Sequence, residues 1–176
     1  MTIRPARADE VPALDQLIAE SARGLSVDFY TQAETEAAIA HVFGVDSELV
    51  ADGTYLVVEV DGAILGCGGW SRRATLFGGD GFAARESGLL DPARDAARIR
   101  AFFIHPAAAR RGVGAALLAA CENAARSAGF RRAALMATLP GQPFYAAHGY
   151  QAGADSWVDC GGIPVRFVPM EKQLSA

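Results

Sequence analysis

A chain of 176 residues is long enough for one globular domain with a sizeable core. Apolar residues make up 51% and charged residues 20%, which excludes a disordered tail or a fibre. A formal net charge of −4 argues against a general nucleic-acid binder, which would carry a basic balance.

The opening "TIRPA" reads as a short extended segment with no apolar leader after it, and no stretch of the chain is long enough to span a bilayer. A cytoplasmic protein is therefore expected. Asp9 stands where a helix cap would, Val11, Leu14, Leu17 and Ile18 recur at helical spacing, and Gly24 marks the expected end. A second helix is expected from Thr31 to Gly44, and a short helical turn from Asp46 to Ala51.

"TYLVVEVDGAILGCGGW" predicts a β-hairpin. Its strands are Tyr55–Val60 and Ala63–Trp70, and Asp61-Gly62 is the turn. The segment from Ser71 to Ala97 is about twice the length at which loops become uncommon in compact domains, so a lid, a binding loop or disorder is expected.

Arg98–Ile104 is the next strand, followed by a helix over about Gly112–Ala128. Val113, Ala116, Leu117, Ala120, Cys121 and Ala124 would form its buried stripe, with Glu122, Asn123 and Arg126 facing away. Gly129 ends it, with Phe130 sealing the cap. Arg132–Ala137 reads as a buried strand, and "QPFYAAHGY" as one or two helical turns stopped by Gly149. Two closing strands follow, Gln151–Asp159 and Ile163–Glu171, joined by Gly161-Gly162. No repeat or linker divides the chain, so residues 1–176 are expected to form one mixed α/β domain.

Cys67, Cys121 and Cys160 cannot all pair, and no zinc-like spacing joins them to His41, His105 or His148. They read as reduced core thiols, and no metal site is expected.

The joint between Ile104 and Ala115 concentrates unusual chemistry. A helix N-terminus offers unpaired N–H groups and partial positive charge. Gly112 and Gly114 leave the backbone bare, while Arg110 and Arg111 add full charges. Together they suit a phosphate or pyrophosphate. Ala115-Ala116 stands where a P-loop needs Lys-Ser or Lys-Thr, which argues against a nucleotide triphosphatase. A dinucleotide fingerprint lacks both its third glycine and its acidic ribose partner.

"FFIHPAAARRGVGAALL" followed by "PFYAAHGY" resembles the GNAT acetyltransferase superfamily, and the resemblance extends over nearly the whole chain. The first stretch matches the family's pyrophosphate motif, Q/R-x-x-G-x-G/A. The second matches its tyrosine four residues before a Gly-aromatic pair, here Tyr145 and Gly149-Tyr150. Ala109 stands where the family usually has Gln or Arg, and Arg110 where a glycine often follows.

The resemblance implies a central, mostly antiparallel twisted sheet with a splayed parallel strand pair, flanked by helices. It implies binding of acetyl-CoA and acetyl transfer to a primary amine of a small molecule or a protein. The pyrophosphate would rest on N–H groups of Arg111, Gly112, Val113, Gly114 and Ala115, with Arg110 and Arg111 supplying charge. The pantetheine arm would pair with the edge of Phe102, Phe103 and Ile104, where that strand splays from Arg132–Ala137. A backbone N–H near Phe103 or Ile104 would stabilise the oxyanion. Tyr145 would protonate the departing thiolate.

Glu59, Asp80, Asp91 and Asp95 are base candidates by position only, beside a water relay to a more distant carboxylate. His105 is expected to shape the turn before Pro106, His148 to lie near the surface or the cofactor, and Cys121 to pack in the core. Trp70 and "LFGGDGF" would either wall an acceptor pocket or plug the core. The alternatives are a non-catalytic acetyl-CoA-binding or partner-binding module on the same fold, or transfer of another acyl group. The closing strands offer an edge for a homodimer.

Overall fold

A computed structural model describes residues 1–84, 86 and 88–174. Strand β1 (Thr2–Pro5) leads through a 3₁₀ turn into α1 (Val11–Leu25), α2 (Gln32–His41) and α3 (Ser47–Ala51). The hairpin β2 (Tyr55–Val60) and β3 (Ala63–Ser71) follows. After a long connection come β4 (Ala97–Ile104), a 3₁₀ turn (Pro106–Ala108), α4 (Val113–Ser127) and β5 (Arg132–Ala137). The chain closes with α5 (Gln142–Ala147), β6 (Gln151–Ala152), β7 (Ser156–Cys160) and β8 (Ile163–Gln173).

The strands run in the order β1-β2-β3-β4-β5-β8-β6, with β7 paired to the other end of β8. Every pairing is antiparallel except β4 with β5. That parallel pair holds register only at Ala97↔Ala133 and Arg98↔Ala134, and beyond these two pairs the strands diverge. Helices cover both faces of this mixed α/β sheet. Leu117, Leu118 and Cys121 of α4 bury one face together with Leu135 and Val168. Leu14, Leu17 and Ile18 of α1 bury the other face against Tyr55 and Val57. A third cluster joins Ala38 and Val42 to Val165 and Phe167. No helix among the described residues is long and apolar enough to cross a membrane.

Several expectations shift with tertiary contact. Gly24 lies inside α1 rather than past its end, because a Cβ there would stand 2.5 Å from Pro106 Cγ. The glycine lets α1 press on the turn after β4. Asp9 caps nothing. The 3₁₀ turn Ala8–Glu10 precedes α1, and Glu10 folds back to accept the Arg7 N–H at 2.8 Å. The second helix is capped by Thr31, whose hydroxyl and Glu34 form a reciprocal capping box, and it stops at His41 rather than running to Gly44.

The buried stripe of α4 is turned by about one residue from the expected one. Leu118, Glu122 and Ala125 are inside, while Ala116, Ala120 and Ala124 are half-buried. Glu122 is tolerated there because Lys172 of β8 donates to both its carboxylate oxygens at 2.9 Å. Gly129 at φ +94 ends the helix as expected, with the Phe130 N–H reaching back to the Ala125 carbonyl. The expected strand Gln151–Asp159 is interrupted at residues 153–155, so that β6 and β7 both pair with the long β8 at different places.

The 72–96 connection is folded against the body, and its positions 85 and 87 lie outside the described residues. Arg73 bridges Leu89 at its base, and the Thr75 hydroxyl donates to the Glu86 carbonyl at 2.9 Å. Its tip docks on the α2–α3 turn, where the Gly79 N–H donates to the Val42 carbonyl and the Asp80 N–H to the Val45 carbonyl.

Candidate active site

Where β4 and β5 part, a cleft of about 900 Å³ opens. Its shape begins in β3, "AILGCGGWS". Cys67 pairs with Phe103 but Gly69 pairs with Arg100, so β4 carries one extra residue there. This is a β-bulge, and Ala101 within it takes φ +47. The buried Tyr55 hydroxyl donates to the Ala101 carbonyl at 2.9 Å and holds the bulge from behind. Gly68 makes room for it, since a Cβ there would lie 3.0 Å from Phe102 Cα.

One end of the cleft is the turn into α4. The His105 Nδ1 accepts the Ala107 N–H at 3.2 Å, so this imidazole shapes the turn as expected. Arg110 at φ +61 and Gly112 at φ +82 then swing the backbone into the helix. The first intrahelical bond runs from the Ala116 N–H to the Gly112 carbonyl. The N–H groups of Val113, Gly114 and Ala115 therefore precede the helical ladder and have no acceptor within it. A Cβ at Gly112 would meet nothing within 4 Å, so the approach to these donors is open. Ala109, Arg110, Gly112, Gly114 and Ala115 all line the cleft. The Val113 side chain turns into the core, and Arg111 is exposed outside the lining.

Tyr145 reaches the same cleft from α5. Phe102, Phe144 and Tyr150 frame its ring at centroid distances of 6.0, 5.2 and 5.7 Å. Burial, with a smaller contribution from the nearby Cys121, pushes the phenol above the ordinary tyrosine range. His148 lies behind this group, its ring tilted against Phe144 at a centroid distance of 4.4 Å and its Nδ1 2.8 Å from the Phe144 carbonyl oxygen. Phe102, Phe103 and Ile104 face the cleft from β4.

The opposite end was largely hidden in the sequence. Phe29, Phe43, Phe77 and Phe167 converge there from four separate segments. Phe43 meets Phe103 edge-on at 5.2 Å and Phe167 at 6.1 Å, and Phe77 lies 6.2 Å from Phe167. The 72–96 segment contributes Phe77, Gly78 and Gly79 to this wall. Trp70 does not line the cleft; it packs edge-on against Phe130 at 6.2 Å.

The base candidates lie elsewhere. Glu59 binds Arg4, Asp80 accepts from the Ser47 N–H and hydroxyl, and Asp95 accepts from the Asp91 N–H. None of the four, Asp91 included, lines the cleft. All three cysteines are buried and unpaired. Among the described residues no cluster of three His, Cys, Asp or Glu could hold a metal ion.

Solved structures share this architecture. A GCN5-related N-acetyltransferase from Rhodopseudomonas palustris is 21% identical over 98% of this chain and 95% of its own, with a TM-score of 0.73. The PaiA N-acetyltransferase of Thermoplasma acidophilum, solved in complex with coenzyme A, is 15% identical over 98% of both chains, at a TM-score of 0.66. A ribosomal-protein-alanine N-acetyltransferase from Brucella melitensis is 17% identical over 99% of this chain and all of its own, at 0.63. At such identities the likeness is one of fold. No curated protein matches the chain. The family model described as "Acetyltransferase (GNAT) family" matches residues 16–150, from within α1 to the tyrosine after α5. With the parted strands, the bulge and the helix-start turn all inside that span, the chain belongs to the acetyltransferase (GNAT) family.

Proposed function

We propose that residues 1–176 form one N-acetyltransferase domain that moves an acetyl group from acetyl-CoA to a primary amine, in a reducing, cytoplasmic setting. The observation that carries this reading is a single cleft open to both the bare N-terminus of α4 and Tyr145, at the place where β4 and β5 separate. The solved relative with coenzyme A bound supports the choice of ligand.

The fit rests on the donors present. The N–H groups of Gly112, Val113, Gly114 and Ala115 would hold the pyrophosphate, with Arg110 and Arg111 adding charge. Ala109 contributes no side-chain grip, so the main chain and these arginines do that work. Phe102, Phe103 and Ile104 would offer the parted edge of β4 to the pantetheine arm. In the β3–β4 ladder the His105 N–H donates to the Leu65 carbonyl, and by antiparallel alternation the Phe103 N–H faces Cys67 of β3 while that of Ile104 faces the parted side, which favours Ile104 over Phe103 as the donor for the developing oxyanion. When bound, acetyl-CoA supplies an activated thioester. Tyr145 would give its hydroxyl proton to the departing sulfur.

The test pairs binding with turnover. A hundredfold excess of acetyl-CoA over its Kd should raise Tm by roughly 5–10 °C, while ATP and NAD should not. Tyr145→Phe should leave that shift intact and lower kcat about 10²-fold. Because the phenol's pKa is raised, the acid form persists as pH climbs. Wild-type kcat should therefore show no Tyr145-dependent fall below about pH 10. Equal shifts with ATP, or full turnover by Tyr145→Phe, would contradict this reading.

A further inference from the structure

The cleft is chemically divided. Its cofactor end has main-chain donors and Arg110, whereas its far end is walled by Phe29, Phe43, Phe77, Phe103 and Phe167. Apart from Arg110 and Tyr145, the polar side chains that line the cleft are the Ser21, Ser26 and Thr138 hydroxyls, which are neutral. Among the described residues no Asp, Glu, His or Lys lines any part of the cleft. The four residues outside the description, Arg85, Ser87, Ser175 and Ala176, bring no acidic or imidazole side chain.

Most charged groups on the elements around the cleft have partners of their own. On α1, Asp15 accepts the Val45 N–H at 2.9 Å, and Glu20 lies 3.4 Å from His105. Asp46, before α3, pairs with Arg100 of β4 at 2.5 Å, both side chains fully buried. On the 72–96 segment Asp80 takes its bonds from Ser47. On α2, Glu34 caps its own helix, Glu36 pairs with Arg23, and His41 abuts Gly161. Arg166 of β8 pairs with Asp155, and the Tyr30 hydroxyl donates to the Arg166 carbonyl. Asp28 is exposed beside Phe29 and does not line the cleft.

An alkylammonium entering this wall would lose its water and meet no counter-ion. Attraction to phenylalanine faces is weaker than that loss. Burial instead drives the nitrogen to its neutral form. A lysine-like amine, with a pKa near 10.4, is neutral only about once in a thousand molecules at near-neutral pH. A weakly basic amine is neutral almost always.

We propose that the acceptor is an apolar, weakly basic primary amine of the arylamine class, taken up uncharged between the phenylalanines. This rests on the acetyltransferase reading above. The nitrogen lone pair forms the C–N bond, and the C–S bond breaks with its electron pair leaving on sulfur. Tyr145 protonates the sulfur, and the proton lost by the nitrogen restores the phenol. The balance needs no second acid or base in the cleft.

Thiol release from acetyl-CoA, measured with p-toluidine, 4-methylbenzylamine and spermidine, tests the proposal. At near-neutral pH, kcat/KM should be highest for p-toluidine, by about tenfold or more over the benzylamine, and lowest for spermidine. Between about pH 6.5 and 8.5 the benzylamine value should rise about tenfold per unit while the p-toluidine value stays flat. Phe29→Asp, at the half-exposed rim, should raise the spermidine to p-toluidine ratio about tenfold. Faster turnover of spermidine, a rising p-toluidine limb, no turnover of any of the three, or an unchanged ratio in Phe29→Asp would each overturn the acceptor class. With acetyl-CoA binding intact, such a result leaves the acetyltransferase reading standing. Absence of acetyl-CoA binding would remove both.

Discussion

Arg110 occupies left-handed backbone at φ +61, a conformation in which a side chain is strained by about 1–2 kcal/mol. The same residue lines the cleft and carries a charge there. Strain and charge can be separated by two substitutions. Arg110→Gly relieves the backbone at some cost in unfolded-state entropy, so denaturant unfolding should show a gain of up to about 1 kcal/mol. Calorimetric affinity for acetyl-CoA should fall about three- to tenfold, the share of a partly exposed charged hydrogen bond. Arg110→Ala should lose the affinity without gaining stability. At this scale the sequence is informative where chemistry sits beside a turn: Gly112 and Gly114 stand out next to their arginines, Tyr145 stands out only through the family resemblance, and all three line the cleft. Glu122 was read as solvated because its partner, Lys172, lies 50 residues away on β8.

The β3–β4 pair shows how an element shapes the site. The run Gly66-Cys67-Gly68-Gly69 reads in sequence as an ordinary strand end, yet Gly66 and Gly68 lack side chains where β4 lies over them, and a Cβ at Gly69 would stand 2.7 Å from the Thr54 carbonyl oxygen. A Cβ at Gly66 would lie 2.8 Å from Ile104 Cδ1, and one at Gly68 would lie 2.7 Å from Phe102 Cδ2. Gly68→Ala should therefore displace Phe102, cost about 1–3 kcal/mol of stability and weaken acetyl-CoA binding. Gly81→Ala has nothing within 4 Å of the new carbon and should change stability by less than about 0.5 kcal/mol. Chemical denaturation of both variants with the wild type measures the difference.

Across the whole molecule, one buried ion pair ties the cleft's walls together. Arg100, on the bulged strand, pairs with Asp46 and donates to the Gly78 carbonyl at 2.7 Å. It thereby joins β4, the start of α3 and the tip of the 72–96 segment. Asp46→Asn keeps a side-chain oxygen to cap α3 but leaves the guanidinium without its counter-charge, and should cost about 3–5 kcal/mol. Adding Arg100→Met should recover much of that loss, because replacing both charges is often close to neutral. A double-mutant cycle in urea provides the comparison. Selective loosening of the 72–96 segment in Asp46→Asn, seen by amide hydrogen exchange, would show that the pair holds the cleft as well as the fold.

Local pattern determined the order of helices and strands, the glycine-stopped ends of α4 and α5, and the helix-start turn. Each depends on residues within a few positions of one another, and backbone periodicity and turn chemistry act over that range. Tertiary structure alone decided the bulge in β4, the folding of the 72–96 segment onto the α2–α3 turn, and the convergence of Phe29, Phe43, Phe77, Phe103 and Phe167. Those residues lie up to 138 positions apart, between Phe29 and Phe167. What brings them together is close packing of faces from different elements, and no local periodicity encodes which distant face will be met.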